Sequence, residues 1–253
     1  MNRNIEGCLQ FSLVRIGQQD AMQKSIHIPN LENNTIHLWT ARYSDLDLYY
    51  QTVSDFISQK EQEKASTFRK SADVRHYILR HGMLRFILGT YTLSEPRAIL
   101  LVTGKNGKPE LDPLGASADV SFNLSQTSEM VLIGVTKKRR IGVDIVKIES
   151  SYRFHDHAEY IFTPGEKACL QKIKPELRSQ VFFRIWALKE AILKATGKTL
   201  AMMEKTDLSE IIKDVLISPE YSMKFLGTHP PLFICQFNIG SGHHGAIAVD
   251  VGN

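Results

Sequence analysis

Ile141-Gly142-Val143-Asp144-Ile145, followed about forty residues later by Trp186-Ala187-Leu188-Lys189-Glu190-Ala191-Ile192-Leu193-Lys194, carries the most structural information in this chain. The first stretch is short and β-branched, a strand that presents one carboxylate. The second is a helix that presents a carboxylate flanked by lysines. Two carboxylates converging from separate elements make a magnesium site, and neighbouring lysines suit that site to a phosphorylated substrate. Phe183, Ala187, Glu190 and Lys194 recur at helical spacing and share one side, with Lys189 adjoining it. An isolated Glu–Lys pair at this spacing is commonly a solvated surface contact of about 0.2–0.5 kcal/mol. Here Trp186 and bulky apolar neighbours leave only a narrow polar face, which brings Glu190 to the edge of the core. Asp144 stands in a strand otherwise built from Ile141, Val143, Ile145 and Val146, where an unpaired buried carboxylate is costly. It is either a strand-end group bonded to backbone or arginine, or a metal ligand.

Outward from these stretches, the second half has helices with legible ends. Thr163-Pro164-Gly165-Glu166 sets a capping hydroxyl, a proline at the first helical position and a glutamate three residues after the cap. Pro175 opens the next helix and Gly197 stops it near Thr196, with Leu177, Val181, Phe182, Ile185, Leu188 and Ile192 as its buried stripe. Residues 232–239 and 245–251 read as a closing pair of strands. In the first half, Ile36–Ala41 alternates as a strand, and 44–62 and 74–91 read as helices. The second of these has an apolar face and a polar face carrying Arg75, Arg80, His81 and Arg85. Ile99–Val102 reads as a short strand before the tight turn of Gly104-Lys105-Asn106-Gly107-Lys108-Pro109, and Val120–Leu124 and Met130–Val135 read as strands around a polar turn. The first thirty residues lack clear periodicity and read as an extension or a loosely attached start. A boundary near 136–140 gives two similar halves, 1–136 and 137–253. Each mixes helices with short, mostly antiparallel strands and no βαβ alternation, so the fold class is α+β.

The 253 residues, 43% hydrophobic and 23% charged, have an ordinary globular composition, and the net charge of +4 suits an anionic substrate or acidic partner. It falls short of the basic patterning of a nucleic-acid binder. No apolar run approaches a membrane span, and the N-terminus lacks the order of a secretory signal. Cys8, Cys169 and Cys235 are scattered and odd in number, which suits free thiols in the cytoplasm.

Weaker signals also have ordinary explanations. Ser121–Thr127 offers hydroxyl, amide and backbone donors that can hold a phosphate, although a polar hairpin turn explains the same residues. Lys70, Arg75, Arg80 and Lys108 form either an anion-binding wall or a solvated basic face. Gly240-Ser241-Gly242-His243-His244-Gly245 has dinucleotide-type glycine spacing but leads into a strand-like run, so that reading is rejected. His155-Asp156-His157 lacks a third ligand at helpful spacing and reads as a surface loop.

Taken in order, Phe68-Arg69-Lys70, Arg75, Arg80, Leu84-Arg85, Gly107-Lys108-Pro109, Phe122-Asn123-Leu124-Ser125, Gly142-Val143-Asp144, Phe162–Glu166 and Trp186–Lys194 resemble the 4′-phosphopantetheinyl transferase family, in its long, pseudo-dimeric Sfp-like branch. The likeness implies two similar α+β halves with the active site at their interface, the N-terminal half on the 3′-phosphate and adenine side of coenzyme A and the C-terminal half on the magnesium and catalytic side. It implies transfer of phosphopantetheine from coenzyme A to a serine of an acyl, peptidyl or polyketide carrier protein, with release of 3′,5′-ADP, by a monomer. By position, Asp144 and Glu190 resemble the ligands of magnesium (or manganese), and Lys194 resembles the lysine that contacts the phosphates during transfer. Glu190 is then the general base. Lys70, Arg75 and Lys108 resemble the residues that grip the 3′-phosphate and pyrophosphate; Ser125, Gln126 and Lys189 are assigned to the coenzyme with them. Two departures stand out: Gln126 where the family has histidine, and Val146 where it has a second acid. They motivate an alternative, a catalytically weakened member that binds coenzyme A or a carrier protein as a regulatory module. The retained Asp144, Glu190 and Lys194 argue for the enzyme.

Overall fold

The structure, a computed structural model, describes residues 2–5, 9–16, 30–104, 107–113, 119–149, 152–217 and 221–252. The chain forms two compact units, Met1–Phe122 with Ser128–Lys138, and Asn123–Thr127 with Arg139–Asn253.

The first unit begins with β1 (Asn2–Ile5) and β2 (Leu9–Ile16), so the N-terminal stretch expected to be an extension contains strands. Their cause is tertiary: β2 pairs in parallel with β3 (Thr35–Arg42), from Gln10 opposite Thr35 to Ile16 opposite Ala41. Every residue of β3 except Arg42 is buried, as a central strand covered on both faces requires. The expected helix over 44–62 is broken into α1 (Tyr43–Leu46), a 3₁₀ turn (Asp47–Tyr49), α2 (Tyr50–Ser54) and α3 (Gln59–Ser66). The break falls at Ser58, whose hydroxyl accepts from the Glu61 N–H while Glu61 accepts from the Ser58 N–H, a capping box that starts a new helix. Then comes α4 (Ser71–Thr92).

Arg85, expected on the polar face of α4, is instead turned inward and 3% exposed. Its Nε donates to Glu61 at 2.6 Å and its Nη1 to the carbonyls of Pro96 and Ile99 at 3.1 and 2.9 Å. His81 Nδ1 bonds the other Glu61 oxygen at 2.9 Å. Burial alone would push the Glu61 carboxyl up, but His81, the Ser58 N–H and hydroxyl, and Arg85 together bring it down to about 2. A carboxyl lowered from 4.5 to about 2 stabilises the fold above its unfolded value and loses that contribution as pH falls through the folded one. Acid titration of stability should therefore show a loss of about 3 kcal/mol between these two pH values, absent in Glu61→Gln; urea melts across that window check it.

A 3₁₀ turn (Pro96–Ala98) displaces the expected strand at 99–102, and β4 (Leu101–Thr103) pairs with β5 (Pro109–Leu111). Of the turn between them, Lys105 and Asn106 lie outside the described residues. β6 (Val120–Gln126) and β7 (Met130–Lys137) complete a sheet of order β1-β2-β3-β7-β6.

In the second unit, β8 (Ile141–Lys147) leads to α5 (His155–Ile161), α6 (Pro164–Gln171), α7 (Pro175–Thr196), a 3₁₀ turn (Leu200–Lys205) and α8 (Ser209–Ile217). β9 (Tyr221–Leu226), β10 (Leu232–Gly240) and β11 (His243–Asp250) complete it, giving an antiparallel sheet of order β8-β11-β10-β9. His155–His157, expected in a loop, is the exposed first turn of α5. The capping box of Thr163 and Glu166 starts α6, and Gly197 at φ +64 ends α7. Phe182, Ile185, Leu188 and Ile192 of α7 pack in one core with Leu232, Ile234, Ala246 and Ala248 of the sheet. Leu177, expected in that stripe, is 38% exposed in the first turn, before the helix meets the sheet. Both units thus pack helices on small sheets, a mixed α+β architecture. Among the described residues, no helix is long and apolar enough to cross a membrane, and neither Cys169 nor Cys235 is in a disulfide.

Candidate active site

β8 is an edge strand of its sheet, so its outward backbone groups need partners. Val143 finds both in side chains: its N–H donates to Asn123 Oδ1 at 2.8 Å, and its carbonyl accepts from Lys194 Nζ at 3.1 Å. The Asp144 side chain points to the face of the strand opposite that of Val143, and the residue is 6% exposed. Its Oδ1 accepts from Ser125 Oγ and from Lys194 Nζ, each at 2.7 Å, and Lys194 also lies 3.3 Å from the Ser125 hydroxyl. Strand, hydroxyl and helix therefore meet at one carboxylate oxygen.

The approach of α7 to β8 depends on Gly142. A Cβ there would run into the Ala191 carbonyl oxygen, and would lie 2.5 Å from the Ala195 nitrogen and 2.9 Å from Lys194 Cβ. The bare backbone lets α7 come close enough for Lys194 to bond the acid two positions further along the strand.

Burial pushes the Asp144 carboxyl above its ordinary value, while Lys194, the Ser125 hydroxyl and the Ile145 N–H pull the other way. Half-buried Glu190 is pushed up by burial and by the Asp144 carboxylate, with Lys194 opposing. Two acids whose charges repel in a poorly solvated corner are a setting that a divalent cation relieves. Their hard oxygen donors fit magnesium, which takes one or two carboxylates and keeps several waters. Among the described residues there is no group of three or more His, Cys, Asp or Glu side chains that could hold a metal.

Apart from Lys189, the other residues expected at the coenzyme sit on or beside β6, α4 and β5. Gln126 is exposed at the end of β6. Lys70 is exposed at the N-cap of α4, and Lys108 is partly buried at the start of β5. Arg75 donates to Asp47 at 2.6 Å and lies 4.2 Å over the Tyr50 ring. These last three belong to the first unit; within the second unit, Ser125, Asp144, Glu190 and Lys194 come together.

Lys189 requires a correction. Expected at the coenzyme, it is fully buried and forms an ion pair with fully buried Glu166 at 2.6 Å. Its Nζ also donates to the carbonyls of Ile161 and Met203 at 2.8 and 3.0 Å, so its three donors are used inside the core. One residue along a helix is a turn of about 100°, which sends Lys189 inward while Glu190 faces the acid cluster. Burial pushes Glu166 up and Lys189 down, yet the N–H groups of Thr163 and Leu208, both at 2.8 Å from Glu166, complete the pair's hydrogen bonds. Removing one partner of such a pair typically costs about 3–5 kcal/mol.

In the sequence alone, Asn123 and Gly142 carry no assigned role and Glu166 only a capping one. A glycine inside a β-branched strand is a legible sign of close backbone approach. Nothing in the sequence announces Asn123 as the partner of a backbone group twenty residues on.

The sequence model of the 4′-phosphopantetheinyl transferase superfamily matches residues 140–248, a span that holds Gly142, Asp144, Glu190 and Lys194. The chain is 31% identical over 183 residues to the 4′-phosphopantetheinyl transferase HetI of Nostoc sp., covering 72% of this chain and 77% of the relative. It is 25% identical over 197 residues to the 4′-phosphopantetheinyl transferase Sfp of Bacillus subtilis, covering 76% and 81%. The chain belongs to the 4′-phosphopantetheinyl transferase superfamily and is an enzyme of that type. Within it, the likeness to HetI and Sfp puts it on the Sfp-like branch.

Proposed function

We propose that this enzyme moves the 4′-phosphopantetheine arm of coenzyme A onto a serine of an acyl, peptidyl or polyketide carrier protein and releases 3′,5′-ADP. The observation that carries the reading is the convergence of Ser125, Asp144 and Lys194 on one buried oxygen, with Glu190 close enough to feel the Asp144 charge.

Glu190 is the general base that takes the proton of the incoming serine hydroxyl, directly or through one water; its raised affinity for protons suits the task. Lys194 offers its ammonium to the phosphoryl oxygens as negative charge develops on them. Ser125 and Asp144 hold that ammonium in place. Asp144 and Glu190 would hold magnesium, which when bound neutralises charge on the pyrophosphate. Lys70, Arg75 and Lys108 contribute positive charge for the 3′-phosphate and pyrophosphate, and the amide of Gln126 donates a hydrogen bond where a histidine would. The nucleophile belongs to the partner, which accords with a site built from a base, a cation and acids. The net charge of +4 complements an acidic carrier surface, and the unbridged Cys169 and Cys235 accord with a cytoplasmic setting.

The test is mass spectrometry of apo carrier proteins incubated with the enzyme, coenzyme A and magnesium. A gain of ~340 Da on a single serine is expected, the mass of the transferred arm. Carriers from fatty-acid, polyketide and peptide assembly that all stay unmodified, beside an active control transferase, would refute the proposal.

A further inference from the structure

Each unit contains the same internal tie. In the first, Ser58 and Glu61 form the capping box of α3, and buried Glu61 is bonded by Arg85 of α4. In the second, Thr163 and Glu166 form the capping box of α6, and buried Glu166 is bonded by Lys189 of α7. Both long helices have 22 residues, and counted from Ser71 and Pro175 the cation is the fifteenth residue in each. Both cations also donate to backbone carbonyls: Arg85 to Pro96 and Ile99, Lys189 to Ile161 and Met203. Both helices end on a residue in the left-handed region, Leu93 at φ +53 and Gly197 at φ +64.

Beyond the tie, the two helices diverge. After Arg85 comes Phe86, and four residues later Thr90; after Lys189 comes Glu190, and four residues later Lys194. The first tie anchors a helix whose one proposed coenzyme contact, Arg75, lies ten residues before Arg85, and which carries no charged residue after it. The second sits one residue before the base and five before the lysine that bonds Asp144.

We propose that Glu166 and Lys189 are positioning residues: their ion pair, locked to the ends of α5, α6, α8 and the 200–205 turn, fixes the rotation and register of α7 and so sets Glu190 and Lys194 against Asp144. A helix pinned at Lys189 by three bonds cannot turn or slide without breaking them, whereas the bonds made by Lys194 are partly solvent-accessible and easily remade. The inference rests on the transferase reading for its kinetic consequence but not for its structural one.

The experiment compares Glu166→Gln/Lys189→Met with the matched Glu61→Gln/Arg85→Met, each removing both charges so that no lone ion is left buried. Hydrogen exchange is read first, because it requires no turnover. Amides of residues 190–196 should exchange at least tenfold faster in the second-unit variant and remain unchanged in the first-unit variant. Transfer is read next, at saturating coenzyme A and well below each melting temperature. kcat should fall at least tenfold in the second-unit variant with a smaller change in KM for coenzyme A, and should stay within about threefold in the other. Lys189→Arg, which keeps charge and donors, should recover part of the lost kcat and guards against a variant that fails to fold. Unchanged exchange at 190–196 overturns the proposal whether or not the protein is a transferase. Faster exchange with full kcat overturns the kinetic half alone, and a wild type inactive on every carrier counts against the transferase reading, not against the tie.

Discussion

Glu190→Gln should lower kcat by about 10²- to 10⁴-fold, the range a general base contributes, with the melting temperature held or slightly raised. The stability side comes from electrostatics. Glu190 is half-buried, and its carboxyl is pushed up by burial and by Asp144, so its charge opposes the fold locally. Glutamine has the same shape and removes the repulsion. It cannot accept a proton from the serine hydroxyl. Steady-state turnover on the carrier that gains the arm, beside calorimetric melts of both proteins, separates the two effects. A variant that keeps wild-type kcat would exclude Glu190 as the base.

Gly142→Ala should produce the largest loss that avoids every charged residue of the site. The new methyl would meet the Ala191 carbonyl, the Ala195 nitrogen and Lys194 Cβ, two of them backbone atoms of α7 with no rotamer to yield. The helix must move off the strand, at a cost of about 1–3 kcal/mol in overpacking. A displacement of about 1 Å at the reacting groups is worth roughly 10²-fold in rate. Both numbers are measurable, by urea denaturation and by kcat at saturating substrates. A stable Gly142→Ala protein with full activity would mean that α7 does not need close contact with β8 to align Lys194.

How much of the fold and site is legible in the sequence depends on whether the signal is local. Capping boxes, the proline at the start of α7 and the glycine at its end are chemical statements made by neighbouring residues, and they locate the helices of the second unit. Asp144 is conspicuous because a strand of Ile and Val has no local use for a carboxylate. Parallel pairing of β2 with β3 is invisible, since the strand owes its existence to a partner some twenty-five residues on. Lys189 misleads for a related reason. Adjacent to Glu190 in sequence, it looks like part of the same charged surface, and only the positions of Glu166, Ile161 and Met203 reveal that it faces inward. Arg85 misleads in the same way, with Glu61 as its hidden acid.

The five residues Asn123–Thr127 belong to the second unit although the chain between them and Arg139 belongs to the first. Cutting at 138/139, or excising the 140–248 stretch that the family shares, would strip the β8 edge of its amide plug and the buried aspartate of its hydroxyl companion. A gene-level seam at that point would therefore be misleading: shuffling C-terminal halves between relatives would graft a strand and helix while leaving behind the short hairpin arm that completes them. Chimeras should be joined upstream of residue 123, so that the arm travels with the acid it serves.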